Sequence, residues 1–194
     1  MIRALRHAQP DVVALQECAW RFRHQSMQIA GPLGMRASGA GTLGLVSRVP
    51  VRTEVRRLPA KARGGSRRAL IADVGGVRLA TIHWPLDRPV RESHAHTVVT
   101  WALETDMPFV LCGDFNERPG GSPIAILRDA GFVDVWPGEG GETWPSNAPR
   151  FRLDFILVRG EVEIGRVELL RPYPPASDHH GLIAELRVVE PRSV

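Results

Sequence analysis

The sequence predicts a single α+β domain that contains many short strands and about four helices. Its 194 residues are enough for one domain with a substantial core. Hydrophobic residues make up 43% and charged residues 24%, as in ordinary globular proteins. Short apolar runs rich in β-branched residues recur between Gly and Pro, and segments with helical apolar spacing lie between some of them.

The first half of the chain is predicted to contain two helices and five strands. Helical spacing predicts a helix over Ile2–Ala8, and the apolar run Asp11–Gln16 predicts a buried strand. A second helix is expected over Trp20–Ile29, closed by the Gly-Pro pair at 31–32. The Gly-rich segment Gly34–Gly44 is expected to be a loop. The other strands are expected at Leu43–Ser47, Val51–Leu58, Arg68–Val74 and Val77–Trp84.

The second half is predicted to contain two more helices. An apolar stripe predicts a helix over Pro89–Glu104. The buried strand Phe109–Cys112 leads into a loop over Gly113–Gly121. Ser122 is expected to cap a shorter helix that Gly131 ends. Later strands are expected at Leu153–Val158, Val162–Leu170 and Gly181–Val189.

Charge and cysteine content exclude several classes of protein. The 25 basic and 21 acidic residues give a net charge of +4, which is compatible with phosphate-bearing substrates without requiring them. Cys18 and Cys112 lie far apart and match neither a disulfide framework nor a zinc motif. The sequence lacks a membrane-length apolar segment and a signal peptide. We therefore expect a cytoplasmic monomer with no membrane span.

Residues able to do chemistry collect at the ends of apolar runs. Strand ends in a layered protein present side chains to ligands. Carboxylate and amide oxygens suit Mg²⁺ or Mn²⁺, and a His beside an Asp can act as a general base or acid. Each position alone is more often a turn residue or helix cap. The positions are Gln16-Glu17, Asp114 with Asn116, Asp154, and Asp178-His179.

The order of these motifs resembles the endonuclease/exonuclease/phosphatase superfamily of DNase I-like, metal-dependent phosphoesterases. The resemblance implies a four-layer α/β/β/α sandwich with the site at one edge of its two sheets. It runs from about Pro10 to Leu186. The matching segments are PDVVALQE, the His of ATIHW, LCGDFNERPGGSP, TWP, RLDFILV and SDHHGLIAEL.

The resemblance also implies roles for individual residues. Glu17 corresponds to the carboxylate that binds the divalent metal, Mg²⁺ or Mn²⁺, and Asp178 to a second carboxylate near it. His83 corresponds to a side chain that contacts the scissile phosphate. Asp114 orients or activates water, or protonates the leaving group.

The three other carried-over residues support this chemistry. Asn116 positions the phosphate and Asp114. Asp154 and His179 form a hydrogen-bonded pair, in which the carboxylate would fix the imidazole tautomer. The implied substrate is a phosphoester, and nucleic acid is one possibility. Nuclease, phosphatase and phosphodiesterase activities all fit, as do endo and exo cleavage.

One departure from the family pattern concerns its first strand. That strand carries an Asn, whereas this chain opens with residues that correspond to the end of the following helix. Residues 1–194 are therefore expected to form one endonuclease/exonuclease/phosphatase domain that is incomplete at its N-terminus. The alternative function is a non-catalytic relative that binds a phosphate ligand.

Other polar residues receive no catalytic role. His94 and His96 are two residues apart on a predicted helix and point in different directions, which makes them a poor metal pair. His180 is expected to be a solvent-exposed neighbour of His179. A basic patch is either a solvated charge cluster or a contact for a phosphate backbone. The patch consists of Arg63, Arg67 and Arg68.

Overall fold

The computed structural model describes residues 1–18, 24–60, 67–172 and 174–189. The helices are α1 (Ile2–Ala8), α2 (Gln25–Leu33), α3 (Arg88–Leu103) and α4 (Ser122–Asp129). The strands are β1 (Val12–Leu15), β2 (Arg36–Ala40), β3 (Leu43–Ser47), β4 (Arg52–Arg57), β5 (Arg68–Val74), β6 (Val77–His83), β7 (Phe109–Asp114), β8 (Val133–Asp134), β9 (Asp154–Arg159), β10 (Val162–Leu170) and β11 (Gly181–Val188).

The strands form one large sheet and two small ones. The large sheet has the order β4-β5-β6-β7-β9-β8, and β6 and β7 are its parallel pair. The small sheets are β1-β3-β2 and β10-β11, both antiparallel. Helix α3 is the crossover that connects the parallel strands β6 and β7, as a parallel pair requires.

The layers are held together by side chains that alternate along the strands. In β5, Ala69 and Ile71 belong to the core shared with α3 and α4, whereas Leu70 and Ala72 pack against Leu43 and its neighbours in the small sheet. This period of two is what a sheet buried on both faces requires. Each fully buried Leu or Ile contributes about 1.5–3 kcal/mol relative to exposure.

The other cores complete the stack. On the far side of the small sheet, Ala30 of α2 packs with Val46 of β3. Val110 and Val158 of the large sheet pack against Val167 of β10 and the adjoining strand β11. Helices therefore cover both outer faces of two stacked sheet layers, so the predicted four-layer α/β/β/α sandwich is confirmed.

The layer made by the two small sheets is interrupted between β1 and β11. A cavity of about 270 Å³ lies there, lined by Val13 and Ala14 on one side and Leu182 on the other. Cys112 and Phe155 of the large sheet also line it. Within the described ranges, β1 and β11 each have a paired strand on one side only.

Three local predictions were wrong. The segment Gly34–Gly44 contains strand β2, because β3 pairs with it through a tight turn at Gly41 (φ 65°). Helix α2 continues past Pro32 to a left-handed Gly34, whose backbone N–H closes the helix by donating to the carbonyl oxygens of Ala30 and Gly31. The predicted start of α2 at Trp20 lies outside the described residues. Gly121, rather than Ser122, is the N-cap of α4.

Candidate active site

Three predicted site residues stand side by side across the large sheet. His83 is the last residue of β6, and it lies opposite Asp114, the last residue of the parallel strand β7. Asp114 in turn lies opposite Asp154, which opens the antiparallel strand β9. Strand register therefore places one imidazole and two carboxylates in a row at one edge of the sheet.

Gly113 permits the close approach of β6 and β7 at this row. Its φ is 137°, and a Cβ built on it would lie 2.1 Å from the carbonyl oxygen of Ile82. Any side chain would force the two strands apart, because backbone atoms cannot yield as a flexible side chain can. Gly113 thus fixes the spacing between His83 and Asp114.

Asn116 holds the carboxylate of Asp114 in place. Its backbone N–H donates to Asp114 Oδ1 at 2.8 Å. Its side-chain amide donates to the Trp84 carbonyl oxygen at 2.8 Å and lies 3.3 Å from Asp114 Oδ2. Asn116 has a φ of 48°, a left-handed conformation that Asn tolerates better than most residues. These contacts orient Asp114, and the role of Asn116 in positioning a phosphate stays a prediction.

The carboxyl group of Asp114 has an unusual acidity. Burial, together with the negative charges of Asp154 and Glu17, raises its pKa to about 6. The hydrogen bond from the Asn116 backbone and the nearby His179 act in the opposite direction. A carboxyl group with this pKa can accept and release a proton near neutral pH.

Asp154 and His179 form the predicted carboxylate–imidazole pair. His179 Nδ1 lies 2.7 Å from Asp154 Oδ2, although the two residues are 25 positions apart. Burial alone would lower the pKa of His179. The hydrogen bond to Asp154 and the charges of Asp154, Asp114 and Asp178 outweigh this effect, so the pKa is raised. The ring therefore carries its proton at higher pH than a free histidine does.

Backbone hydrogen bonds to Thr143 hold the segments that carry Asp154 and His179. The sequence analysis assigned no such role to Thr143 or to the neighbouring His180. The hydroxyl of the buried Thr143 accepts from the backbone N–H of Leu153 at 3.2 Å, next to Asp154. The Thr143 carbonyl oxygen accepts from His180 N–H at 2.8 Å. The prediction that His180 is solvent-exposed was wrong. Only 7% of this residue is exposed, and its backbone is hydrogen-bonded to the buried Thr143.

His83 bridges Asp114 and Glu17. Its Nε2 lies 3.5 Å from Asp114 Oδ2 and 3.9 Å from Glu17 Oε1. Burial lowers the pKa of His83, the positive charge of Arg67 lowers it further, and Glu17 opposes the shift. Its Nδ1 is buried and has no hydrogen-bond partner among the described residues. These features favour a neutral ring.

The carboxylates of the site fit a hard divalent cation. The side chain of Glu17 is 77% exposed, and its charge acts on the buried Asp114. A cation would relieve the repulsion between them. Within the described ranges, however, no three potential ligands form a ready-made metal cluster. Mg²⁺ commonly keeps several waters and uses one or two carboxylates, so Glu17 alone can serve as an anchor.

Asp178 lies on the His179 side of the site. It is exposed, and its charge contributes to the raised pKa of His179. Its carbonyl oxygen accepts from the Ser146 N–H at 2.7 Å, which fixes the loop. Neither Asp178 nor Glu17 belongs to a group of three or more potential metal ligands among the described residues.

A buried ion pair that sequence reasoning missed ties two loops of the site together. The guanidinium of Arg91 donates to Glu117 Oε2 at 2.9 Å and to the carbonyl oxygen of Pro85 at 3.0 Å. Arg91 and Glu117 are only 5% and 4% exposed. The pair joins the loop after His83 to the loop after Asp114. The signal available in the sequence was the position of Arg91 in line with the apolar stripe of its helix, four residues before Ala95.

Comparisons with known proteins identify a family. The sequence model of the Endonuclease/Exonuclease/phosphatase family matches residues 1–179. A search of curated proteins finds no match. Among the described residues, no helix is long and apolar enough to cross a membrane.

Solved structures share the fold at low sequence identity. An endonuclease/exonuclease/phosphatase family protein from Bacteroides thetaiotaomicron has a TM-score of 0.81 and 18% identity, covering 97% of this chain and 88% of that chain. A mannosyl-6-phosphatase from the same organism has a TM-score of 0.79 and 17% identity, covering 95% and 88%. TDP2 from D. rerio, complexed with a single-strand DNA product, has a TM-score of 0.72 and 21% identity, covering 96% and 92%.

Proposed function

Because the chain belongs to the endonuclease/exonuclease/phosphatase family, we propose that it hydrolyses phosphoester bonds by metal-assisted attack of water. The observation that carries the proposal is the position of Asp114. This buried carboxyl group stands between His83 on one side and Asp154 with its partner His179 on the other. One edge of the sheet thus offers a proton acceptor flanked by two imidazoles.

The side chains suit a single displacement at phosphorus. The oxygen of water bonds to phosphorus while the bond to the leaving oxygen breaks. Asp114, with a pKa of about 6, takes the proton that water loses, and the leaving oxygen takes up a proton from solvent. His179, whose pKa is raised, donates a charged hydrogen bond to a phosphoryl oxygen. The neutral ring of His83 donates to another phosphoryl oxygen.

Glu17 and Asp178 are the proposed ligands of Mg²⁺ or Mn²⁺. The exposure of both carboxylates and the repulsion between Glu17 and Asp114 support this assignment. A bound divalent cation would neutralise charge on the phosphoryl oxygens.

A second candidate function is binding of a phosphate ligand without turnover. The cavity between β1 and β11 favours it, because that cavity adjoins Gln16, Asp154 and His179. A sheet that is open beside the site can leave the catalytic groups too mobile for chemistry. Residues 1–194 as one family domain, the monomeric state and the cytoplasmic location stay predictions.

Turnover of model substrates separates the two functions. Purified protein is incubated with bis(p-nitrophenyl) phosphate, p-nitrophenyl phosphate, mannose 6-phosphate and single-stranded DNA, with Mg²⁺, with Mn²⁺ or with EDTA. Mannose 6-phosphate is chosen because one structural neighbour is named a mannosyl-6-phosphatase, and single-stranded DNA because another is complexed with a single-strand DNA product. Metal-dependent hydrolysis that Asp114→Asn abolishes would support the enzyme. Phosphate binding without hydrolysis of any of these substrates would favour the second function.

Matched variants exclude a contaminating enzyme. Asp129 is an acidic residue at the exposed end of α4, with a side chain that is 78% exposed. Asp129→Asn should keep the turnover of the unmodified protein. Equal turnover in Asp114→Asn and Asp129→Asn would contradict the proposed role of Asp114.

A further inference from the structure

A second cavity opens directly beside the candidate active site. Its volume is about 440 Å³. One wall is the turn between β2 and β3, and the other is the start of β5. His83 lines it as well, so the cavity adjoins the row of His83, Asp114 and Asp154. The lining residues are Ala40, Gly41, Thr42, Leu43, Arg67, Arg68 and His83.

The charge in this cavity is positive and uncompensated. Within the described part of the chain, no carboxylate lies within 4.0 Å of the Arg67 or Arg68 guanidinium. Other arginines of the large sheet have such partners: Arg56 and Arg78, for example, are paired with acidic side chains at 2.8 and 2.7 Å. The positive charge of Arg67 acts on His83, because it contributes to the lowered pKa of the imidazole ring.

The pairing of β4 with β5 places a further cation next to Arg68, outside the residues that line the cavity. Arg57 lies directly opposite Arg68 in the strand register, and both are exposed. Like charges at directly opposed positions of an antiparallel pair destabilise the sheet. An anion between the β2–β3 turn and these arginines would remove that cost.

The opposite wall leaves room for such an anion. Ala40, Gly41, Thr42 and Leu43 carry no charge, and their backbone turn is anchored by the hydrogen bond from Cys18 N–H to the Thr42 carbonyl oxygen at 2.8 Å. Guanidinium groups bind phosphate oxygens in pairs, through two parallel N–H donors. The cavity therefore combines a neutral wall with two guanidinium groups that have no acidic partner among the described residues.

We propose that this cavity binds a second phosphate group of the substrate, held by Arg67 and Arg68, while the scissile phosphate lies at His83, Asp114 and His179. The proposal rests on the proposed function, because it makes His83 the boundary between the two phosphate sites. It narrows the substrate class to molecules with at least two phosphates. Such a molecule is either a bisphosphorylated small molecule or a nucleic-acid backbone.

Binding without turnover tests the proposal independently of catalysis. Titration calorimetry in EDTA compares adenosine 3′,5′-bisphosphate with adenosine 5′-monophosphate, and the 5′-phosphorylated dinucleotide pTpT with TpT. Each pair differs by one phosphate. We expect the protein to prefer the member with two phosphates by about tenfold, as charged hydrogen bonds to one further phosphate would give.

Variants of the cavity arginines test whether the preference for a second phosphate arises in this cavity. Arg67→Gln and Arg68→Gln should reduce it to about twofold or less, within the range of a single screened charge. Arg52→Gln, on exposed β4 away from the cavity, should keep it. A melting temperature within about 2 °C of the unmodified protein would show that each variant is folded, since surface changes shift stability little.

Each outcome bears on the proposal in a defined way. A preference that is lost in the Arg67 and Arg68 variants supports it, and the ligand pair that shows the preference identifies the source as a small bisphosphate or a nucleic-acid backbone. Equal binding of both members in both pairs overturns it. A preference that survives both substitutions also overturns it. Arg67-dependent binding together with failed hydrolysis would sink the proposed hydrolase function alone.

Discussion

Replacing the two members of the Asp154–His179 pair, alone and together, tests catalysis most directly. Asp154 Oδ2 lies 2.7 Å from His179 Nδ1, and both side chains are partly buried, with 14% and 23% exposed. His179→Ala removes the ring, and Asp154→Asn removes the negative charge that orients the ring and stabilises its protonated form. Both changes keep the strand β9 and the backbone link through Thr143.

The expected magnitude follows from what the pair contributes. Removal of one positioned hydrogen-bond donor that stabilises charge in the transition state typically lowers kcat by about 10²–10³-fold. A single residue that acts mainly in the transition state changes kcat and leaves KM nearly constant. We therefore expect His179→Ala to lower kcat by about 10²-fold or more with little change in KM, and Asp154→Asn to do similar damage.

The variant with both substitutions tests whether Asp154 and His179 act together, which neither single substitution can show. Two residues in one hydrogen bond act as a unit, so their effects should be far from additive. The variant with both changes should lose about as much kcat as His179→Ala alone. Steady-state kinetics on the best substrate of the panel, with saturating Mg²⁺, measures all four proteins. His96→Ala, an exposed histidine on α3, is the matched control and should keep kcat.

Two results would refute this reasoning. Turnover equal to that of the unmodified protein in His179→Ala would remove His179 from the mechanism. Losses that simply multiply in the double variant would show that Asp154 and His179 act separately, despite the 2.7 Å between them.

Three further predictions concern the metal, the pH dependence of stability and the sheet. Glu17→Gln should weaken Mg²⁺ binding measured by calorimetry, and EDTA should stop turnover, because a charged ligand is lost in one case and the cation in the other. Burial, helped by the charge of Arg67, lowers the pKa of His94 in the fold, although its hydrogen bond to Pro59 opposes this. Protonation therefore favours the unfolded chain, so stability is full above the ordinary pKa of about 6.5 and falls as pH drops below it. The melting temperature should decrease less between pH 7.5 and pH 5 in His94→Gln. Gly113→Ala should lower the melting temperature by several degrees, whereas Gly120→Ala should not, because a Cβ at Gly120 meets nothing within 4 Å.

Each of these predictions has a contrary outcome. Undiminished turnover in excess EDTA would exclude a metal-dependent reaction, whereas equal Mg²⁺ affinity in Glu17→Gln would exclude only that ligand. An identical acid-induced loss of melting temperature with and without His94 would assign the loss to other groups. Equal melting temperatures for the Gly113 and Gly120 variants would mean that β6 and β7 can separate without cost.

Local sequence pattern was sufficient for most elements. Helix α1 and strands β5 and β10 have the predicted bounds, because apolar periodicity and bounding turn residues act within a few positions. The placement of candidate site residues at strand ends was also accessible, since Asp114 closes β7, Asp154 opens β9 and His83 closes β6. Strand β2 was missed because its Gly-rich sequence has no pattern of its own, and β3 supplies its pairing.

Tertiary structure decided which of these residues meet. The row of His83, Asp114 and Asp154 depends on one parallel and one antiparallel register, and a shift of one residue would turn each side chain to the other face. The burial of His180 and the Arg91–Glu117 pair were likewise decided by packing. A sequence records which groups stand at the ends of strands. Long-range strand pairing alone sets the distances between them, because each pairing joins residues that are far apart along the chain.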